Sequence, residues 1–183
     1  LVVGVTWVVA VVILQDEQNR GLALRRSLTE AQRAKAVLQV SKTDNSILAQ
    51  AYKDNLVLDY AGVPGRDLTP AQRTQLLGIV ELFVSNLDDG HARVKMDEVR
   101  AHLDRTWFAW IGGDGDDSVF YFRIHSPVVL IEFDHQRPAN LRAQAKDPQQ
   151  VTRDHVHSVV RTPNGNDYGK DLLRQHYLAH NHA

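Results

Sequence analysis

The apolar and polar positions of the chain fall into two regimes. Behind an apolar run at 1–14, apolar residues return at helical spacing as far as residue 104, and from Thr106 onward they alternate or cluster as they do in strands. The clearest helix opens at Leu68-Thr69-Pro70-Ala71-Gln72-Arg73. Thr69 is placed to cap it, Pro70 suits the first helical position, and Leu76, Leu77, Val80, Phe83, Val84 and Leu87 line up as one apolar stripe. The phrase has an earlier copy, Leu28-Thr29-Glu30-Ala31-Gln32-Arg33, in which Thr29 and Gln32 have capping-box spacing and predict a helix running toward Leu38. A shared grammar of helix starts explains the recurrence more simply than duplication. Further helices are expected over 16–26, 46–55 and 91–104, the last with Ala92, Met96, Val99 and Leu103 inward, while Gly62, Pro64 and Gly65 mark 60–66 as a loop.

In the second regime, two aromatic strands at 106–111 and 118–125 flank the turn Gly-Gly-Asp-Gly-Asp-Asp, which predicts a hairpin. Pro127 ends the second strand. A third strand follows at 128–135, a long polar loop at 136–154, a last strand at 155–162 and a last helix at 168–179. The fold class is therefore α+β: helices in the first half, then an antiparallel sheet of at least four strands and a C-terminal helix. The opening run at 1–14 is Val-rich, interrupted by Gly4 and Thr6, and shorter than the roughly 20 residues of a spanning helix. It reads as one or two buried strands, against the rival reading of a truncated signal or anchor. Strands there need partners, so residues 1–183 are expected to be a single domain forming the C-terminal portion of a larger one, with upstream sequence missing.

Composition narrows the partners more than the chemistry. The 183 residues are 43% hydrophobic, enough for a sizeable core, and 21 basic against 22 acidic residues leave a net charge of -1. That balance argues against a nucleic-acid surface or a polybasic membrane patch, and no membrane-spanning segment is expected. The absence of cysteine excludes disulfides and thiolate metal sites and is compatible with either redox compartment. Phosphate-binding Gly loops, the Gly-x-Ser-x-Gly elbow and the His-Glu-x-x-His helix are all missing.

The polar residues that remain cluster on the last strands. Alternation puts His155, His157 and Arg161 on one face of a strand that runs into Thr-Pro-Asn-Gly-Asn-Asp and a helix start. Two imidazoles at i and i+2 can grip one metal ion, yet a metal-free, hydrogen-bonded pair fits the same spacing, and the Glu that a cupin barrel places after the second His is absent. A further ligand would come from His125, Glu132, Asp134 or His135. Glu132 stands among apolar neighbours, which makes it a candidate acid; an ion pair with Arg123 or Arg161 is an equal alternative. Arg161 could clamp a carboxylate or phosphate in two parallel bonds, helped by the helix start, although Asp167 is the natural cap there and Pro163-Asn164-Gly165 could be only a tight turn. Trp107, Phe108 and Trp110 could stack a sugar ring, but buried packing is the plainer assignment.

Four phrases carry a resemblance: Leu-Gln-Asp-Glu-Gln at 14–18, Thr-Trp-Phe-Ala-Trp-Ile-Gly-Gly at 106–113, Arg-Ile-His-Ser-Pro-Val-Val-Leu-Ile-Glu-Phe-Asp-His-Gln at 123–136, and the block 155–177. The chain resembles an uncharacterised family catalogued as domain of unknown function 3500, over most of its length and less clearly over 1–13. The resemblance implies a further stretch of family sequence upstream and puts weight on Arg123, His125, Glu132, His135, His157, Arg161, Asn164, Asn166 and Asp167; it implies no activity.

The leading expectation is a metal-dependent enzyme, a hydrolase or an oxidoreductase, acting on a small polar or anionic substrate. Glu132 and Arg161 would be catalytic, Arg123, Asn164 and Asn166 would bind substrate, and His125, His135, His155 and His157 would hold a divalent transition metal. The alternative is a metal-free ligand-binding or structural module in which the same groups form a buried hydrogen-bond network.

Overall fold

The computed structural model describes residues 14–49, 57–138, 147, 149–163 and 178–180. Its helices are α1 (Gln15–Ser27), α2 (Glu30–Ala36), α3 (Pro70–Val84) and α4 (Asp89–Ala101), and among the described residues none is long and apolar enough to cross a membrane. Both capping boxes form. Thr29 and Thr69 each accept a hydrogen bond from the main chain of the Gln three residues on, and the side-chain oxygen of each Gln accepts one from the Thr main-chain N–H.

The two helix starts also meet. Gln32 Nε2 donates to Gln72 Oε1 at 2.8 Å and Gln72 Nε2 donates back to Gln32 Oε1 at 2.9 Å. The second proton of each amide goes to the carbonyl just before the other repeat, Asp67 O for Gln32 and Ser27 O for Gln72. The recurring phrase is thus a matched pair of surfaces, docked about a local pseudo-twofold relation, with Leu28 and Leu68 both buried beside it.

The strands are β1 (Val37–Gln39), β2 (Val63–Pro64), β3 (Trp107–Gly112), β4 (Phe120–His125), β5 (Leu130–His135) and β6 (Val156–Arg161). Their order is β1-β3-β4-β5-β6, with β2 also pairing β3. The predicted wholly antiparallel sheet needs correction: β1 runs parallel to β3, pairing Val37 with Trp110. The helix expected to reach Leu38 stops at Ala36 because Val37, a β-branched residue, turns into extended backbone and joins the sheet. The loop expected at 60–66 likewise contains β2 and the start of a 3-10 turn at 65–67.

Three expectations fall wholly or partly outside the described residues. The opening run is described only at Leu14. The helix expected over 46–55 is described only at 46–49, which are not helical, and that over 168–179 only at its last two residues, which are.

Register sorts the sheet residues onto two faces. Phe108, Trp110, Phe120, Phe122, Ile124, Ile131 and Phe133 face the helices and join Leu22, Leu24, Leu76, Ile79, Val80 and Phe83 in one core. Phe122 and Phe133 are cross-strand partners with rings stacked at 5.0 Å. Gly21 lets α1 lie directly on this layer, since a Cβ there would come within 2.5 Å of the Phe122 ring. Burying each such side chain contributes roughly 1.5–3 kcal/mol, so the apolar half of the sheet anchors the polar half on its other face.

A candidate functional site on the polar face of the sheet

The face turned away from the helices carries Trp107, Ala109 and Ile111 on β3, Tyr121, Arg123 and His125 on β4, Leu130, Glu132 and Asp134 on β5, and His157, Val159 and Arg161 on β6. Arg123, His125, Glu132 and Asp134 are nevertheless at most 4% exposed. What covers part of this face is the segment 42–49, held by main-chain amides. Ser46 N and Ile47 N donate to Asp134 Oδ2 at 2.7 and 3.3 Å, and Leu48 N and Ala49 N donate to Glu132 Oε1 and Oε2 at 3.0 and 2.8 Å. Two carboxylates spaced i, i+2 on one strand therefore grip four consecutive N–H groups. Charge-assisted bonds of this kind are about twice as strong as neutral ones.

Each carboxylate has a further partner. Tyr121 donates its phenol to Glu132 Oε1 at 2.6 Å, and burial together with the Glu132 charge pushes the phenol pKa up, so it stays a donor. Lys42 Nζ lies 2.7 Å from Asp134 Oδ1 in an ion pair whose two side chains are fully buried. Burial pulls the Lys42 ammonium below its usual range, and Asp134 opposes that shift. The ion pair expected between Glu132 and Arg123 or Arg161 is absent: among the described residues no arginine reaches the Glu132 carboxylate.

Arg123 and His125 are left over. The Arg123 guanidinium makes no ion pair among the described residues, and its Nε is buried without a hydrogen-bond partner. Neither ring nitrogen of His125 has a partner of ordinary hydrogen-bond geometry; the Asp59 backbone is near enough only to offset part of the shift caused by burial and the Arg123 charge, which together pull the imidazole down to about 4. His125 is therefore neutral at pH 7. Tyr60 closes this end, stacked on Trp107 at 4.1 Å and tilted over His125 at 4.4 Å, so Trp107 packs against protein side chains here.

The four candidate metal-binding histidines lie at three separate places. His135 points to the helix side, where its Nδ1 accepts from Phe120 N at 2.9 Å and its Nε2 consequently donates to Gln18 Oε1 at 2.8 Å; burial pulls it down to about 3. His125 stands at the Trp107 end of the polar face. His155 and His157 stand at the opposite end of the sheet, and their Nε2 atoms approach to 3.0 Å. Among the described residues no group of three His, Asp or Glu side chains is arranged to hold a metal ion. Arg161 shares the polar face with Arg123 and is ladder partner to Leu130, which in turn faces His125. Asn164, Asn166 and Asp167 lie outside the described residues.

A solvent-open cleft of about 1230 Å³ lies at the His155 end, lined among others by Lys42, Ser118, Arg153 and His155. It does not reach Arg123 or His125. Sequence reasoning missed Lys42, Tyr60 and Tyr121. Only Tyr121 carried a legible signal, since alternation places it on the face of Arg123.

No curated protein and no solved structure matches the chain. A family model described as a protein of unknown function (DUF3500) matches residues 6–170, reaching into the opening run and stopping inside the last predicted helix. The residues that build both faces of the sheet lie within that match, and the chain belongs to the DUF3500 family.

Proposed function

We propose that the protein binds a small anionic molecule on the polar face of its sheet, with Arg123 as the principal contact and His125 and Arg161 beside it. The observation that supports this is a guanidinium buried to 4% exposure that no carboxylate among the described residues pairs. An isolated buried charge is costly, and proteins keep such groups chiefly where a ligand or partner compensates them. Neutral His125, two residues along the same face, can donate to or accept from the same ligand. Glu132 has no part in proton transfer on this reading: both its oxygens are taken up by the amides of Leu48 and Ala49 and by Tyr121.

The test is thermal unfolding and calorimetric titration of the full chain with inorganic phosphate, acetate and citrate, each against chloride at equal ionic strength. At about 100 times its dissociation constant a bound anion stabilises by about 2.7 kcal/mol. At least one of the three is expected to raise the melting temperature of the wild type and to leave that of Arg123→Met unmoved. No rise with any of them, or equal rises in both proteins, would overturn the reading.

A further inference from the structure

The His155-Val156-His157 motif has no part in the anion site, and its geometry has its own meaning. We propose that His155 and His157 form a two-point chelate for a divalent metal of tetragonal preference, Cu(II) or Ni(II), at the start of β6. The two Nε2 atoms face each other at 3.0 Å, with ring centroids 4.8 Å apart and ring planes inclined by 54°. At a metal–nitrogen distance of about 2.0–2.1 Å, two donors at right angles lie about 3.0 Å apart, whereas two tetrahedral donors lie about 3.4 Å apart. The observed separation matches the first, the arrangement that Cu(II) and Ni(II) favour with imidazole ligands.

The surroundings suit an open site. β6 is the last strand in the order of the described sheet, His157 is exposed, and His155 lines the solvent-open cleft beside Ser118 and Arg153. The nearest carboxylate in register, Asp134, is committed to Lys42 and to the amides of Ser46 and Ile47. Two imidazoles are therefore what the described residues supply, and water or a small donor fills the remaining positions. The same 3.0 Å contact in the metal-free protein is an imidazole–imidazole hydrogen bond that holds the pair in place. This inference is independent of the anion site at Arg123.

The experiment uses the full chain and Cu(II) alone, presented as a weak glycine complex and followed by electron paramagnetic resonance and competition titration. One equivalent is expected to bind with the superhyperfine pattern of two imidazole nitrogens. His157→Asn, at an exposed position, is expected to keep the circular dichroism spectrum of the wild type and to weaken binding by more than about tenfold. A control with His180→Asn and His182→Asn, which removes the histidines at the chain end, should retain the signal. Unchanged affinity in His157→Asn, loss confined to the control, or no binding at all would each overturn the proposal.

Discussion

Arg123 stands opposite Glu132 in the β4–β5 ladder and forms no ion pair with it. Opposite charges in cross-strand register ordinarily attract, but here the carboxylate is turned to the covering segment and held there by two amides and a phenol. Arg123→Met keeps the packing of the stem and removes a charge that no described carboxylate pairs. Urea unfolding of the ligand-free protein is expected to show a gain of about 1–3 kcal/mol. A loss of similar size would mean that the arginine is stabilised within the protein itself.

Glu132 and Tyr121 share a hydrogen bond but are expected to differ in what they hold. In Glu132→Gln an amide replaces one acceptor oxygen in front of the Leu48 and Ala49 N–H groups, and the expected cost is about 3 kcal/mol. Tyr121→Phe removes one donor and should cost about 1 kcal/mol. Amide hydrogen exchange separates the two: protection of Leu48 and Ala49 should fall in Glu132→Gln and persist in Tyr121→Phe.

Acid is expected to destabilise the fold well before carboxylates titrate. His135 is pulled down to about 3, first by burial and then by the Arg153 and Lys42 charges, and His125 to about 4, first by burial and then by Arg123, both from an ordinary value of 6.5. Between those values and 6.5 the unfolded chain binds more protons than the folded one, so stability is whole above about pH 6.5 and falls as pH is lowered toward 4 and 3. Each histidine contributes a slope of up to about 1.4 kcal/mol per pH unit. Unfolding free energies measured from about pH 7.5 to pH 5 should decline, and His125→Phe should make the decline shallower; a flat profile would refute both assignments.

The Gln32–Gln72 amide pair predicts a coupled response. Gln32→Ala and Gln72→Ala each leave the partner amide half-satisfied in a buried site, at a cost of about 1–2 kcal/mol, and the double variant should cost clearly less than the sum. Strict additivity in a double-mutant cycle would show that the contact carries no energy of its own.

Local signals were legible and distant ones were not. Both capping boxes could be read because Thr29 with Gln32, and Thr69 with Gln72, satisfy groups a few residues away. That the same glutamines also bind each other was hidden, because nothing in either phrase names its partner. β1 escaped notice for the same reason: Val37 continues an apolar helical pattern and is redirected only by Trp110, far along the chain. On the site, period-two alternation along β5 sets Glu132 and Asp134 on one face and His135 on the other, and the ladder follows it. It could not say that both acids would be occupied by backbone, nor that Arg123 would have no ion pair among the described residues.

Glu132 and Asp134 grip residues 46–49 through peptide nitrogens, which divides evolutionary freedom unequally between the two sides. Drift at the exposed Leu48 can change the side chain and leave the anchoring bonds intact, whereas Ile47 and Ala49 are buried and Ser46 Oγ accepts from Lys42 Nζ. Proline alone deletes the group being held. Glu132 and Asp134 have no such latitude, so divergent members of the family should preserve an acid-x-acid pair on this strand while the exposed position 48 wanders.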